Sequence, residues 1–270
     1  MQFLLLLTMA TFETANFVCA MNQTSFAWQP GDLPVVLVLG LLTVGFVTYW
    51  FLAESPVLKH RLSQGVSQST ASVRWVISQK LIGFVFLGVI PLITVIIVLP
   101  NSLADYGLGF TNSLESLLWV LGLACVVFPL NINAAKRPEN LAYYPMMRVS
   151  RWNPPLVVVN ALATTAYLFA YELLFRGIVL SVCVATLGVW PAIAINVALY
   201  STTHLPKGPA ETIGAIPFGL LVCYITLSTG TIWVAVVIHV ILSLSNDYLS
   251  VHYNPSMKFV GTHEKGVLSE

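Results

Sequence analysis

The sequence predicts an all-α protein, a polytopic transmembrane helix bundle of seven or eight spans. Hydrophobic residues make up 57% of the 270 and charged residues only 9%, against about 25% charged in soluble domains, and the mean hydropathy is +0.83. Long apolar runs recur along the chain, and basic residues gather in alternate connections between them. The solvent that suits such a chain is a bilayer. With 12 Lys and Arg against 11 Asp and Glu, the net charge of +1 leaves no basic surplus for phosphates and gives nucleic acid no electrostatic footing.

A spanning helix needs about 20 mostly apolar residues, because every backbone amide must find its partner inside the segment. Seven stretches meet or approach this length: residues 33–53, 76–99, 117–131, 155–180, 190–204, 213–227 and 232–248. Residues 1–20 begin apolar, but they lack a basic start and Glu13 interrupts them, which argues against a signal peptide. They form either an eighth span or a helix lying at the interface. The Ser- and Gln-rich stretch 62–72 reads as a solvated connector.

Lys and Arg collect on the cytoplasmic side of a membrane. Lys59, Arg61 and Arg74 share one connection, Lys136, Arg137, Arg148 and Arg151 the next but one, then comes Lys207, then Lys258 and Lys265, whereas residues 101–115 and 181–189 carry none. The first clear span therefore runs outside to inside, and the C-terminus is cytoplasmic. Cys19, Cys125, Cys183 and Cys223 are far apart with no CxxC pair and read as small core residues, not disulfides or ligands.

Ionisable residues inside a span are expensive and face the bundle interior or a water-filled cavity. Here they collect late in the chain. Glu172 and Arg176 stand four apart on one helix face, with Thr165 two turns before Glu172. Tyr200 and His204 are also four apart, with Asn196 one turn back, and His239, Ser243, Asn246 and Asp247 form a third stripe. For the first stripe a structural ion pair stands beside the catalytic reading, and for the histidines an interfacial position or a hydrogen-bonded core position does. Three stripes on three helices can nonetheless converge on a cavity, where two imidazoles and a carboxylate can activate water and bind an oxyanion.

At these residues the sequence resembles the CAAX protease and bacteriocin-processing family (CPBP, also called Abi). That family's pattern is EExxxR, an aromatic four before His, then His four before Asn. Tyr171 to Gly177, YELLFRG, fits the first motif with Tyr171 in place of its first Glu; Tyr200 and His204 fit the second; His239 and Ser243 fit the third with Ser in place of Asn. The resemblance covers residues 155–248, implying an N-terminal helical part (1–154), a protease domain (155–248) and a cytoplasmic tail (249–270).

The resemblance implies an intramembrane endopeptidase in a bacterial plasma membrane, cleaving a membrane-tethered protein or peptide. It implies Glu172 and His204 as activators of water, His239 with Ser243 as holders of the oxyanion, and Arg176 as the residue that orders the site. With Tyr171 a poor base, catalysis falls to Glu172. No cofactor is expected. Zinc on Glu172, His204 and His239 is the minority alternative, in the absence of an HExxH motif. Glu211 is a candidate gating residue, against the plainer reading of a solvated loop carboxylate.

One spacing argues against the site unless the helix holding Glu172 begins in an interfacial segment or His204 sits deeper because residues 205–209 dip inward, and some of both is expected. Glu172 would lie about 25 Å along a helix starting at Pro155, at 1.5 Å per residue, whereas His204 would sit near the same end as that start. Two other functions stay open: a catalytically silent scaffold or immunity factor, motivated by Tyr171 and Ser243, and a small transporter, against which the lack of paired repeats counts.

Overall fold

A computed structural model describes residues 26–261. The expectations for residues 1–20, Cys19 and Lys265 lie outside the described residues. The chain divides into two compact units, residues 1–33 and 34–270. In the described part of the first, the Gln29 amide donates to the Asp32 carboxylate at 2.9 Å in the turn that opens α1.

The helices are α1 (Asp32–Ala53), α2 (Pro56–Ser63), α3 (Gln68–Phe84), which continues through a π-helical turn (Val85–Val89) into α4 (Ile90–Val98), α5 (Ser113–Ala134) and α6 (Pro138–Tyr143). Then follow the strand β1 (Arg151–Trp152), α7 (Pro154–Glu172), a π-helical segment (Leu173–Val179) and α8 (Leu180–Leu187). The chain continues through α9 (Val189–Thr202), α10 (Pro209–Thr229), α11 (Trp233–Tyr253) and β2 (Lys258–Phe259).

All seven expected spans are helices. Six are long and apolar enough to cross a membrane, and Val189–Thr202 is a shorter apolar helix. The protein is thus an integral membrane protein with an all-α, polytopic bundle. The helices run past the apolar stretches because polar caps extend them. Ser67 accepts from the Thr70 amide and starts α3 inside the stretch read as a connector, and Asn153 accepts from the Leu156 amide at the head of α7.

The bundle is built around α7 and its continuation. Within Pro154–Leu187, 78% of the most apolar window is buried, against 11% for α5. Helix α5 turns Leu114, Leu118 and Leu121 outward, as a lipid-facing helix does. Small residues let α7 come close to its neighbours. A Cβ on Gly88 would stand 2.6 Å from the Ala170 Cβ, and one on Gly83 would stand 2.5 Å from the Tyr167 ring.

The inner edge of α7 is a row at steps of four, Leu156, Asn160, Thr164, Leu168 and Glu172, all buried. Thr164 therefore holds the place expected for Thr165, which is exposed. The packing ridge of α7 follows i+4 steps, not the i+7 step that the sequence suggested. Cys183 and Cys223 are buried, but Cys125 is exposed on α5, so it is not a core residue. The short β1 pairs in parallel with β2, Arg151 against Lys258 and Trp152 against Phe259.

A buried polar cluster occupies the first half of α7. Lys80 Nζ of α3 donates to Asn160 Oδ1 at 3.0 Å and to Thr164 Oγ1. Asn160 Nδ2 donates to Asp247 Oδ2 of α11 at 3.2 Å, and Asp247 Oδ1 accepts from the Met146 amide at 3.4 Å. Sequence reading placed Asp247 in the stripe of His239, and Lys80 lies within the expected span 76–99. The structure joins them through Asn160.

Candidate active site

Glu172 ends α7, and the π-helical segment that follows carries Arg176; π-helical turns inside α-helices are frequent at functional sites. Asn196 of α9 braces this segment by donating to the Phe175 carbonyl at 2.6 Å, and the Cys223 thiol donates to Asn196 Oδ1 at 3.3 Å. Arg176 is fully buried. Its Nη1 lies 3.1 Å from Glu172 Oε2, and its guanidinium carbon lies 4.0 Å from the centre of the Tyr200 ring. Stacking on an aromatic face and pairing with a carboxylate are what make a buried guanidinium tolerable.

The other oxygen of Glu172 faces α11. His239 Nδ1 lies 2.6 Å from Glu172 Oε1; because a carboxylate only accepts, Nδ1 carries the hydrogen and Nε2 is left for a ligand. Both oxygens of Glu172 are thus engaged. The side chain is 0% exposed.

His204 follows α9 in the turn after Thr202. Its Nδ1 lies 2.9 Å from the Tyr200 carbonyl oxygen, one of the carbonyls that a helix end leaves without an intrahelical donor. A carbonyl also only accepts, so Nδ1 donates and the Nε2 lone pair faces outward. The Thr203 hydroxyl donates to the same carbonyl at 2.7 Å.

His204 and His239 line one partly open cavity of about 80 Å³, together with Tyr171 and Thr203, enough for several waters at roughly 10–15 Å³ each. The Tyr171 ring meets both imidazoles edge-on, with centres 6.5 Å from His204 and 5.9 Å from His239. The end of α7 and His204 therefore lie side by side. The first turns of α7 are taken up by the Lys80 and Asp247 cluster.

The remaining candidates fall outside this cavity. Glu172 and Arg176 sit behind His239, not on the wall, and Ser243, one turn after His239, is half-buried and does not line it. Glu211 accepts from the Tyr144 hydroxyl at 2.9 Å and pairs with Lys207 at 3.4 Å. Lys207 lines the cavity. Burial pushes the Tyr144 phenol up to about 12, and Lys207 opposes this rise while Glu211 adds to it, so at neutral pH it is a donor to Glu211. Sequence reading missed the aromatic wall that Phe46, Tyr49 and Trp50 contribute from α1. The only signal for it was the local density of aromatic residues.

The donors do not suit the zinc alternative. Among the described residues no three His, Cys, Asp or Glu side chains are grouped to hold a metal ion. Glu172 spends one oxygen on His239 and the other on Arg176, whose fixed positive charge opposes a dication there. In this arrangement Glu172 has no oxygen left over to join His204 and His239 around an ion.

Fold and site define a class: a polytopic helix-bundle membrane protein with a buried carboxylate, guanidinium and imidazole beside a second histidine. Within that class, residues 151–245 match the family described as type II CAAX prenyl endopeptidase Rce1-like. This is the resemblance carried by the motifs at Glu172, His204 and His239, and the family is one of peptidases. No curated protein and no solved structure matches the chain.

Proposed function

We propose that the protein is an intramembrane endopeptidase, CAAX-protease-like, that cleaves a membrane-tethered protein or peptide with water activated at His204. The observation that carries this reading is that two imidazoles line one cavity while a buried carboxylate and guanidinium hold one of them from behind. His204, with Nδ1 tied to the Tyr200 carbonyl, takes a proton from water at Nε2. The water oxygen bonds to the scissile carbonyl carbon, and the electron pair of the carbonyl moves onto its oxygen. With a hydrogen on each ring nitrogen, His239 donates from Nε2 to that oxyanion while Nδ1 donates to Glu172. His204 then returns the proton to the leaving nitrogen as the C–N bond breaks. Glu172 acts here through His239, a division of labour that differs from the one implied by the family motif. Arg176 keeps Glu172 ionised and in place.

Purified protein in liposomes, offered tagged membrane-tethered peptides, tests this. Wild type should cleave and His204→Ala should not; cleavage that survives His204→Ala removes the mechanism. A second reading, a catalytically silent member, is favoured by Tyr171 on the cavity wall at the motif's first Glu. If wild type is inert and Tyr171→Glu cleaves, that second reading holds.

The orientation belongs to the same proposal: a bacterial plasma membrane with the C-terminus in the cytoplasm. A reporter fused after Glu270 should report the cytoplasm and one inserted near Gly107 the outside. The reverse pattern inverts the topology.

A further inference from the structure

The site is assembled from two halves that share no backbone. Glu172 and His239 are joined across α7 and α11; His204 hangs from the end of α9. Besides the bond from Asn196 to the Phe175 carbonyl, a hydrogen bond links the two halves at the cavity itself. The Tyr171 hydroxyl lies 2.5 Å from Thr203 Oγ1. Tyr171 is the residue before Glu172, and Thr203 is the residue before His204.

The direction of this bond follows from its neighbours. The Thr203 hydroxyl has one hydrogen, and it goes to the Tyr200 carbonyl at 2.7 Å, since that oxygen cannot donate. The Tyr171 hydroxyl must therefore donate to Thr203. The chain runs from Tyr171 to Thr203 to the Tyr200 carbonyl, which also receives His204 Nδ1. Tyr171 cannot swing away, because its ring packs against Phe175 at 4.7 Å, Tyr200 at 5.8 Å and Tyr167 at 6.0 Å between centres.

We propose that Tyr171 and Thr203 are a positioning pair that sets the distance between His204 and His239 and holds His204 in the tautomer with Nε2 free. The inference rests on the endopeptidase reading for its catalytic consequence but not for its geometry. Tyr171 is then more than a lost carboxylate. A base in this chain is supplied by His204, and the residue in the position of the motif's first Glu serves to aim it. A displacement of about 1 Å at such a site costs roughly 10²-fold in rate, so a pair that fixes the position of His204 has a measurable role.

The test uses the full chain in lipid nanodiscs with [15N]histidine. In wild type the His204 ring should give the spectrum of a neutral imidazole protonated at Nδ1. Tyr171→Phe and Thr203→Val should each shift it toward a mixture of tautomers, and Thr203→Ser, which keeps the hydroxyl, should restore it. Unchanged spectra in both Tyr171→Phe and Thr203→Val overturn the proposal, whether or not the protein cleaves anything. Where wild type cleaves, each of these two variants should lower kcat about 10²-fold with KM little changed, and the double variant should lose no more than either alone. Multiplying losses in the double variant, or a fall confined to KM, would also overturn it. Shifted spectra in a wild type without cleavage would keep the pair and remove the endopeptidase reading.

Discussion

Two clusters of buried charge lie along the same edge of α7. At Asn160 and Thr164 the cluster is closed: Lys80 gives its protons to two side-chain oxygens, and Asp247 receives from Asn160 and from the Met146 amide. None of these groups lines the cavity. At Glu172 the cluster is open on one side. His239 spends Nδ1 on Glu172 and turns toward the cavity, and His204 does the same from the Tyr200 carbonyl. An ionisable residue inside a membrane is a reasonable place to look for function, yet the difference shows that burial of charge alone does not mark a site. What sets the proposed site apart is a ring nitrogen left over after the structural bonds are made, next to space that water can fill.

Four single substitutions, two of them paired with a compensating second change, break or sharpen this contrast. The largest effect is expected at Glu172→Gln, which strands Arg176 and loosens His239. Removing one partner of a buried pair costs about 3–5 kcal/mol, so thermal unfolding in detergent should move sharply and cleavage should be lost. Adding Arg176→Met should recover much of the stability and none of the cleavage. His204→Ala should lower the rate by about 10²- to 10⁴-fold with a smaller change in unfolding than Glu172→Gln, because the ring strands no buried charge and its bond to the Tyr200 carbonyl is worth about 1 kcal/mol.

Lys80→Met should cost stability on the scale of about 3–5 kcal/mol for a stranded buried charge, and Lys80→Met with Asp247→Asn should return most of it. The folded fraction of that double variant should cleave as wild type does. Loss of cleavage in a well-folded double variant would erase the distinction between the clusters. The smallest effect is at Tyr144, whose phenol is pushed up to about 12, by burial first. With the folded value above the ordinary one near 10, this residue's share of stability is full below pH 10 and falls away between about pH 10 and 12. Tyr144→Phe should remove that alkaline loss from the unfolding profile and cost about 0.5–1.5 kcal/mol at neutral pH, the worth of the bond to Glu211.

The spans were legible because crossing a bilayer is a condition on one stretch of chain at a time. The pairing of Glu172 with Arg176 was legible for the same reason, since both lie on one helix four residues apart. The partner of Lys80 was not, because Asn160 and Asp247 come from two other helices and each looks like an ordinary polar residue alone. Thr164 was mistaken for Thr165 because a spacing of seven and repeated spacings of four mark nearly the same face, and only the neighbours of α7 decide between them. The role of Glu172 was open for a further reason. Sequence gives the residue types of a constellation but not which oxygen is already engaged, and here one is hydrogen-bonded to His239 and the other is ion-paired with Arg176.

The short pairing of Arg151 and Trp152 with Lys258 and Phe259 has a topological result. It fastens the point where the chain runs into α7 to the point it reaches after leaving α11, with the Lys258 amide donating to the Ser150 carbonyl at 2.9 Å and the Val260 amide to the Trp152 carbonyl at 3.0 Å. The segment from α7 to α11 is therefore a closed loop of chain with a clasp at its mouth, and both ends of the family match at 151–245 fall within or near that loop. Helix α1 stays outside this loop, so the loop carries both histidines while Phe46, Tyr49 and Trp50 close the cavity from beyond the clasp.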